Sequence, residues 1–501
     1  MENLMSFEDF YKSMGLVRYP FWVRTAEKEE ADKLFIKPIN YPQLEDVVNN
    51  AHTAIICGNR GAGKTMLLSE LKTKVSDDRL VCEIDNFEDV RLRENLQDYY
   101  SLILKQMTQS LVVFLSSRKK LIRKATKNDK LLLSFLIKKY GNNIVDSQLY
   151  EQLSKVQLNF VQRMVNVFTG PITAFLNYGT TAVTNFGNEL LTKQFGAYLP
   201  DINCSTIKNI FPEIKFAVED QFLMADISYS MLESVLAMIK RVTNTVPVVF
   251  IDRLDEDVRL ENDAELVTAF IKDLLCDIKI LHNSDVEMLI SVWKIPFSNL
   301  SNAFRESKHT VFHVGWNASY LEGVLNKRLS VYSNNAIRDC NDLFADDVSD
   351  QDKAAIYRLS NENPRDLWNI YDKIFCAQYE LDKRSTVLTH KAIKKGLRNF
   401  VSTFPFYEYY PRKKTAHRNT NDVYSYIGYL LKLSNKEEFT HDELRNQAST
   451  GGSTGNYITN MINIGLVKKT GRKKSGGAVI YQINDPKVSY AISQKIDIER
   501  P

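Results

Sequence analysis

Eight residues constrain this chain more than any other stretch: Gly58-Asn59-Arg60-Gly61-Ala62-Gly63-Lys64-Thr65. They spell G-x-x-x-x-G-K-[ST], the pattern of a loop that wraps a phosphate in backbone N–H groups. The flanks suit that reading. Thr53 to Cys57 is a short apolar run fit for a buried parallel strand, and Met66 to Lys72 is a helix former with leucines at 67, 68 and 71. Glycines let the backbone curl so that successive N–H groups face one point, at the positive end of the following helix. Lys64 is expected to reach the β- and γ-phosphates, and the Thr65 hydroxyl to take a place on Mg²⁺.

A second chemical site lies far downstream. Val246 to Ile251 is apolar and runs into Asp252-Arg253-Leu254-Asp255-Glu256. A buried strand that ends in a carboxylate delivers it to the edge of the sheet where the phosphate loop also opens. Asp252 is the Mg²⁺ candidate, and Asp255 or Glu256 is placed to orient the attacking water. Strands expected at 80–85, 286–294 and 309–314 alternate with helices, among them 264–282 and 297–306. That order implies an α/β P-loop NTPase, a parallel sheet flanked by helices.

Five segments follow. Residues 1–50 read as a leader that packs on the NTPase. Its aromatic residues, in Pro20-Phe21-Trp22 and at Phe35, either cover an adenine or simply fill the core. The NTPase domain spans 51–316, with a mainly helical insertion at about 115–215 that carries a basic run from Arg118 to Lys127. A helical lid is expected over 317–400. Over 415–490 three helices, a strand, the basic turn Gly471 to Gly477 and a second strand spell a winged helix-turn-helix. Its third helix, Gly452 to Ile464, offers Ser453, Thr454, Asn456, Tyr457 and Asn460, and its turn offers Arg472, Lys473 and Lys474.

Composition narrows the class. At 501 residues the chain exceeds one core, and 44% hydrophobic with 25% charged residues is ordinary for globular proteins. No apolar run approaches the roughly 18 residues of a membrane-spanning helix. No signal-peptide core is visible at the start, and the six cysteines (57, 82, 204, 276, 340 and 376) make no C-x-x-C pair, so a reduced, cytoplasmic protein without a zinc site is expected. Net charge is only +4 but uneven: from Lys391 to Pro501 there are 19 Lys and Arg against 9 Asp and Glu, which leaves the rest of the chain at −6. A basic end attached to an acidic body points to an anionic partner.

On these motifs the chain resembles the ORC/Cdc6-like and STAND branches of the AAA+-type P-loop ATPases, over roughly residues 20–110, 240–400 and 420–490. Asp252-Arg253-Leu254-Asp255-Glu256 is similar to the D-x-x-D-E form of NACHT-type STAND proteins, with Arg253 where AAA+ motors carry their catalytic Glu. The resemblance therefore implies slow hydrolysis of ATP with Mg²⁺. It assigns Arg365, in Asn363-Pro364-Arg365, as the sensor that contacts the γ-phosphate, Ser291 or Lys294 as the sensor at a strand end, and Arg305 as an arginine finger towards a neighbouring subunit of a homo-oligomer. The function implied is an ATP-driven switch in a nucleic-acid-linked or antiphage-defence process, with double-stranded DNA on the winged helix. The alternative is a STAND-like scaffold whose winged helix and insertion bind a protein effector.

Overall fold

The computed structural model describes residues 5–22, 31–126, 223–411 and 422–500, apart from 76, 78 and 436, together with Asp129, Leu132 and Leu136. Most of the expected insertion, including Cys204 and the Thr/Gly-rich stretch 168–187, lies outside the described residues. Its start is a 3₁₀ turn at Lys119–Lys124.

Five strands form the central sheet: β1 (Ala54–Gly58), β2 (Val81–Ile84), β3 (Val248–Ile251), β4 (Glu287–Trp293) and β5 (Val311–His313). All neighbours are parallel, in the order β2-β3-β4-β1-β5. Every residue of β1, β3 and β4 is buried, which is why their sequences are mostly apolar, with Glu287 and Ser291 of β4 as buried polar exceptions. Alternate side chains divide between two faces. Ile55, Cys57, Ile251 and Ile290 pack against helices Leu96–Ser117, Leu223–Thr243 and Ala264–Leu275. Ala54, Ile56, Phe250 and Leu289 pack against helices Tyr41–Asn49 and Lys64–Lys74.

A second core begins where the sheet ends. The helices Ala318–Tyr332, Asp350–Ser360, Pro364–Leu381 and His390–Ser402 share one contiguous apolar cluster with Phe406 and Tyr410 and with residues between Val423 and Ile496. Residues 7–22 belong to this cluster too: Phe21 stacks on Tyr371 at 5.3 Å, and Tyr19 donates to Asp372 at 3.0 Å. The expected leader therefore divides: residues 7–22 pack in this second core, whereas Phe35 and helix Tyr41–Asn49 pack against the sheet.

The C-terminal portion holds helices Val423–Leu430, His441–Ala448 and Thr454–Asn463 and an antiparallel sheet β6-β8-β7, with β6 (Glu438–Thr440), β7 (Val467–Lys473) and β8 (Val479–Ile483). Thr440 caps its helix through a reciprocal box with Glu443. A last helix, Pro486–Gln494, starts on the Asp485 cap and carries Lys487 into the second core. There the Lys487 ammonium meets Asp366 at 2.8 Å, with both side chains almost wholly buried.

At the N-terminal edge of the sheet, opposite the phosphate loop, Glu287 is fully buried and pairs with Arg79, which also donates to the Val246 carbonyl at 2.9 Å. Burial outweighs the arginine and pushes the Glu287 carboxyl up to about 7 from its ordinary 4.5. A carboxyl raised on folding favours the folded state fully below its unfolded value and loses that contribution as pH climbs through its folded value. Urea denaturation should therefore show the parent losing up to ~3 kcal/mol more than Glu287→Gln between pH 5 and pH 8. Parallel pH profiles for the two proteins would contradict this.

Candidate functional site

The loop between β1 and helix Lys64–Lys74 turns on two glycines with left-handed backbone, Gly61 (φ +81°) and Gly63 (φ +89°). Four of its carbonyls accept side-chain hydrogen bonds. The Lys64 ammonium donates to the carbonyls of Gly58 and Asn59, each at 3.1 Å. The Asn363 amide donates to the Arg60 carbonyl at 2.7 Å, and the buried Trp316 indole to the Ala62 carbonyl at 2.9 Å. The Ala62 N–H also donates to the Asn59 carbonyl, at 3.2 Å. A loop whose carbonyls are engaged in this way leaves its remaining N–H groups for an anion. Gly63 stands at the helix N-cap and supplies no capping side chain, so the first-turn donors stay available.

Because the strands are parallel, β1, β3 and β4 end on one edge. The turn after β3 places Asp252, Arg253, Asp255 and Glu256 beside the loop, and β4 brings up Ser291 from between them. Arg253 adopts φ +60°, unusual for a side-chain-bearing residue, and reaches Asp85 at 3.5 Å. Burial, and next the Asp255 charge, hold the Glu256 carboxyl above its ordinary range. Burial pulls the Lys64 ammonium below its own range, against Asp255 and Asp252, which favour its charge.

Arg60 is the residue that the motif alone leaves unread. Its Nε donates to Asp255 Oδ2 at 2.6 Å and its Nη2 to the Asp255 carbonyl at 2.9 Å. Its Nη1 reaches Asn262 Oδ1 and the Glu408 carbonyl, the latter at 3.1 Å, and the guanidinium lies 4.1 Å over the Trp293 ring. Asp255, expected to be open to water, is instead a partner of the phosphate loop itself.

These groups surround one cavity of about 230 Å³. Its lining includes the polar and loop residues Gly61, Gly63, Lys64, Thr65, Asp252, Glu256, Ser291, Arg328 and Arg365, together with the apolar Phe35, Ile36, Pro38, Met66, Val324 and Trp368. Phe35 thus fits the cavity-side alternative for the leader, whereas Phe21 lies in the second core. Arg365 enters because Asn363 caps its helix, accepting from the Arg365 N–H at 3.0 Å, with Pro364 in the first turn. It makes no ion pair among the described residues. Lys294 and Arg305 are exposed and do not line the cavity; Arg305 sits just before the edge strand β5. Of the two strand-end candidates, Ser291 is the one brought to the site.

At the C-terminal surface, helix Thr454–Asn463 exposes Asn456, with Tyr457 and Asn460 half-buried. Thr454 is buried and bonded to the Gly451 carbonyl, so it is not the surface donor expected from the sequence. Two of the three turn cations are already paired, Arg472 with Glu438 and Lys474 with Glu443. Lys468, Lys469 and Lys473 are exposed and make no ion pair among the described residues.

No protein-family model matches the chain, and no curated protein matches it. Among solved structures it is similar to that of Cdc6p from Pyrobaculum aerophilum, at 10% identity, covering 97% of this chain and 98% of that one, with a TM-score of 0.29. Among the described residues, no helix is long and apolar enough to cross a membrane.

The start of helix Pro364–Leu381 packs so tightly on the loop that a Cβ at Gly61 would lie 2.7 Å from Asn363 Oδ1 and 2.8 Å from Arg365 Cβ. Gly61→Ala should therefore displace the start of helix Pro364–Leu381 and destabilise the chain by ~1–3 kcal/mol. Unchanged thermal stability, with amide exchange at 363–367 as in the parent, would contradict that contact.

Proposed function

We propose that this chain is an AAA+-type P-loop NTPase that binds ATP with Mg²⁺, hydrolyses it slowly, and uses the bound state to set the position of its C-terminal portion. The observation that carries the reading is the loop itself. Its carbonyls are engaged by Lys64, Asn363 and Trp316, and Lys64, Thr65, Asp252 and Arg365 line one cavity. In this reading Lys64 leaves the Gly58 and Asn59 carbonyls for the β- and γ-phosphates, and Arg365 meets the γ-phosphate from the lid. Thr65 and Asp252 hold Mg²⁺, whose bound charge neutralises the phosphate oxygens. Glu256, less acidic than an ordinary carboxyl, is suited to hold the attacking water. The apolar part of the lining takes the base. The segments expected as NTPase domain, lid and winged helix then form a three-part switch.

The proposed partner of the C-terminal portion is double-stranded DNA, with helix Thr454–Asn463 towards the groove and Lys468, Lys469 and Lys473 along the backbone. The pairing of Arg472 and Lys474 with glutamates favours the second reading, a scaffold whose same surface holds a protein effector. A nucleic-acid-linked or antiphage role, and a homo-oligomer completed by Arg305, extend the first reading.

Two measurements test these statements on the full chain. Lys64→Ala should weaken ATP binding by more than about tenfold, as expected for losing charged hydrogen bonds. Asp252→Ala should keep part of the binding but lose Mg²⁺-dependent hydrolysis, and parental hydrolysis by both variants would reject the site. For the partner, replacing Lys468, Lys469 and Lys473 with Ala should flatten the log-log salt slope of duplex binding by up to about 2.7. No duplex binding at low salt would leave the protein-partner reading.

A further inference from the structure

We infer that Arg60 is a latch: it ties occupancy of the phosphate loop to the docking of the C-terminal portion, and it holds Asp255 back from the reaction while closed. The inference rests on the nucleotide reading above and specifies how that site is regulated.

The contacts form a circuit that begins and ends on one residue. From the Arg60 side chain, one branch reaches the Glu408 carbonyl directly. A second passes through Asn262, whose amide donates to the Tyr407 and Tyr410 carbonyls. The next link is the Tyr410 hydroxyl, which donates to Asp485 at 2.7 Å in the interior. Asp485 caps the helix that carries Lys487, and Lys487 is paired with Asp366. Asp366 follows Arg365 in the lid helix, whose Asn363 cap closes the circuit on the Arg60 carbonyl.

Such a ring couples its members because none can leave alone without stranding a polar group. Bound to Arg60 through Oδ2, Asp255 has one oxygen and part of its charge withdrawn from any water at the site. An incoming triphosphate brings a competing anion to the residue before Gly61, where Asp255 is the one charged partner of Arg60 among the described residues. Exchange of Asp255 for a phosphate oxygen releases Asp255 to the site and frees the 406–410 segment. The cavity of about 230 Å³ agrees with a contracted state, since sites for ligands of this size run to roughly 300–1,000 Å³. Binding and undocking are then reciprocal: whatever loosens the docking must strengthen nucleotide binding by the same factor.

Asn262 lies outside the cavity lining, and Asn262→Ala removes the branch through the Tyr407 and Tyr410 carbonyls, leaving Arg60 its single direct contact with the Glu408 carbonyl. The probe is ATPγS with Mg²⁺, read by amide exchange over 404–411 and 485–495 and by titration. In the parent, ATPγS should speed exchange in both segments. In Asn262→Ala, exchange should be fast without nucleotide, and ATPγS should bind about 5-fold or more tightly. Arg60→Lys, which keeps the charge but loses the fork, should reproduce the fast exchange. If the parent binds ATPγS and exchange in both segments stays the same, the latch is wrong and the nucleotide reading stands. If the parent binds no ATPγS, both fall. The parent comparison alone decides the matter should either variant fail to fold.

Discussion

The handover from β1 to helix Lys64–Lys74 is the constraint on which the rest of the structure depends. A parallel strand buried on both faces must pass into a helix within five residues, and it does so through left-handed backbone at Gly61 and Gly63. Along that path the loop carbonyls accept hydrogen bonds from a lysine, an asparagine and a tryptophan. Two of those three anchors, Asn363 and Trp316, come from beyond the sheet. The phosphate loop is therefore shaped as much by the second core as by the strand that leads into it.

Residues 7–22, the helices between 318 and 402 and the C-terminal portion bury one continuous apolar cluster, so a change in the seating of any one of them has to be accommodated by the others. Within it the Asp366–Lys487 pair is specific rather than cheap. Removing one partner strands a charge in the interior, at a cost of about 3–5 kcal/mol, whereas an apolar pair would pack there without fixing the register. Placed one residue from Arg365, it makes the angle of the lid helix and the seating of helix Pro486–Gln494 a single variable.

What was legible in the sequence was local. The loop, the apolar strand before it and the strand running into Asp252 announce themselves by composition within a dozen residues, and Asn363-Pro364 marks a helix start by its own chemistry. What stayed hidden depends on distance or on context. The partner of Arg60 lies 195 residues away, at a motif position where any residue is allowed. Lys487 reads as a surface lysine, because lysine is almost never buried, yet Asp485-Pro486 before it was an unread helix-start signal. The helix expected over 264–282 breaks at Cys276, where Asp277 caps a second short helix. The one expected at 297–306 is the short helix Lys294–Ser298. Strand β6 has three residues, too few for a periodic pattern to register. It forms because β8 offers it a partner.

The claim on which all of this turns is that the loop exists to hold phosphate. A structure determined with Mg²⁺ and a non-hydrolysable ATP analogue tests it most directly. The expected result has the β-phosphate within hydrogen-bond reach of the N–H groups of Gly61 to Thr65, with the Lys64 ammonium moved from the Gly58 and Asn59 carbonyls to the phosphates. An analogue bound elsewhere, with Lys64 still closed on its own loop, would contradict the claim.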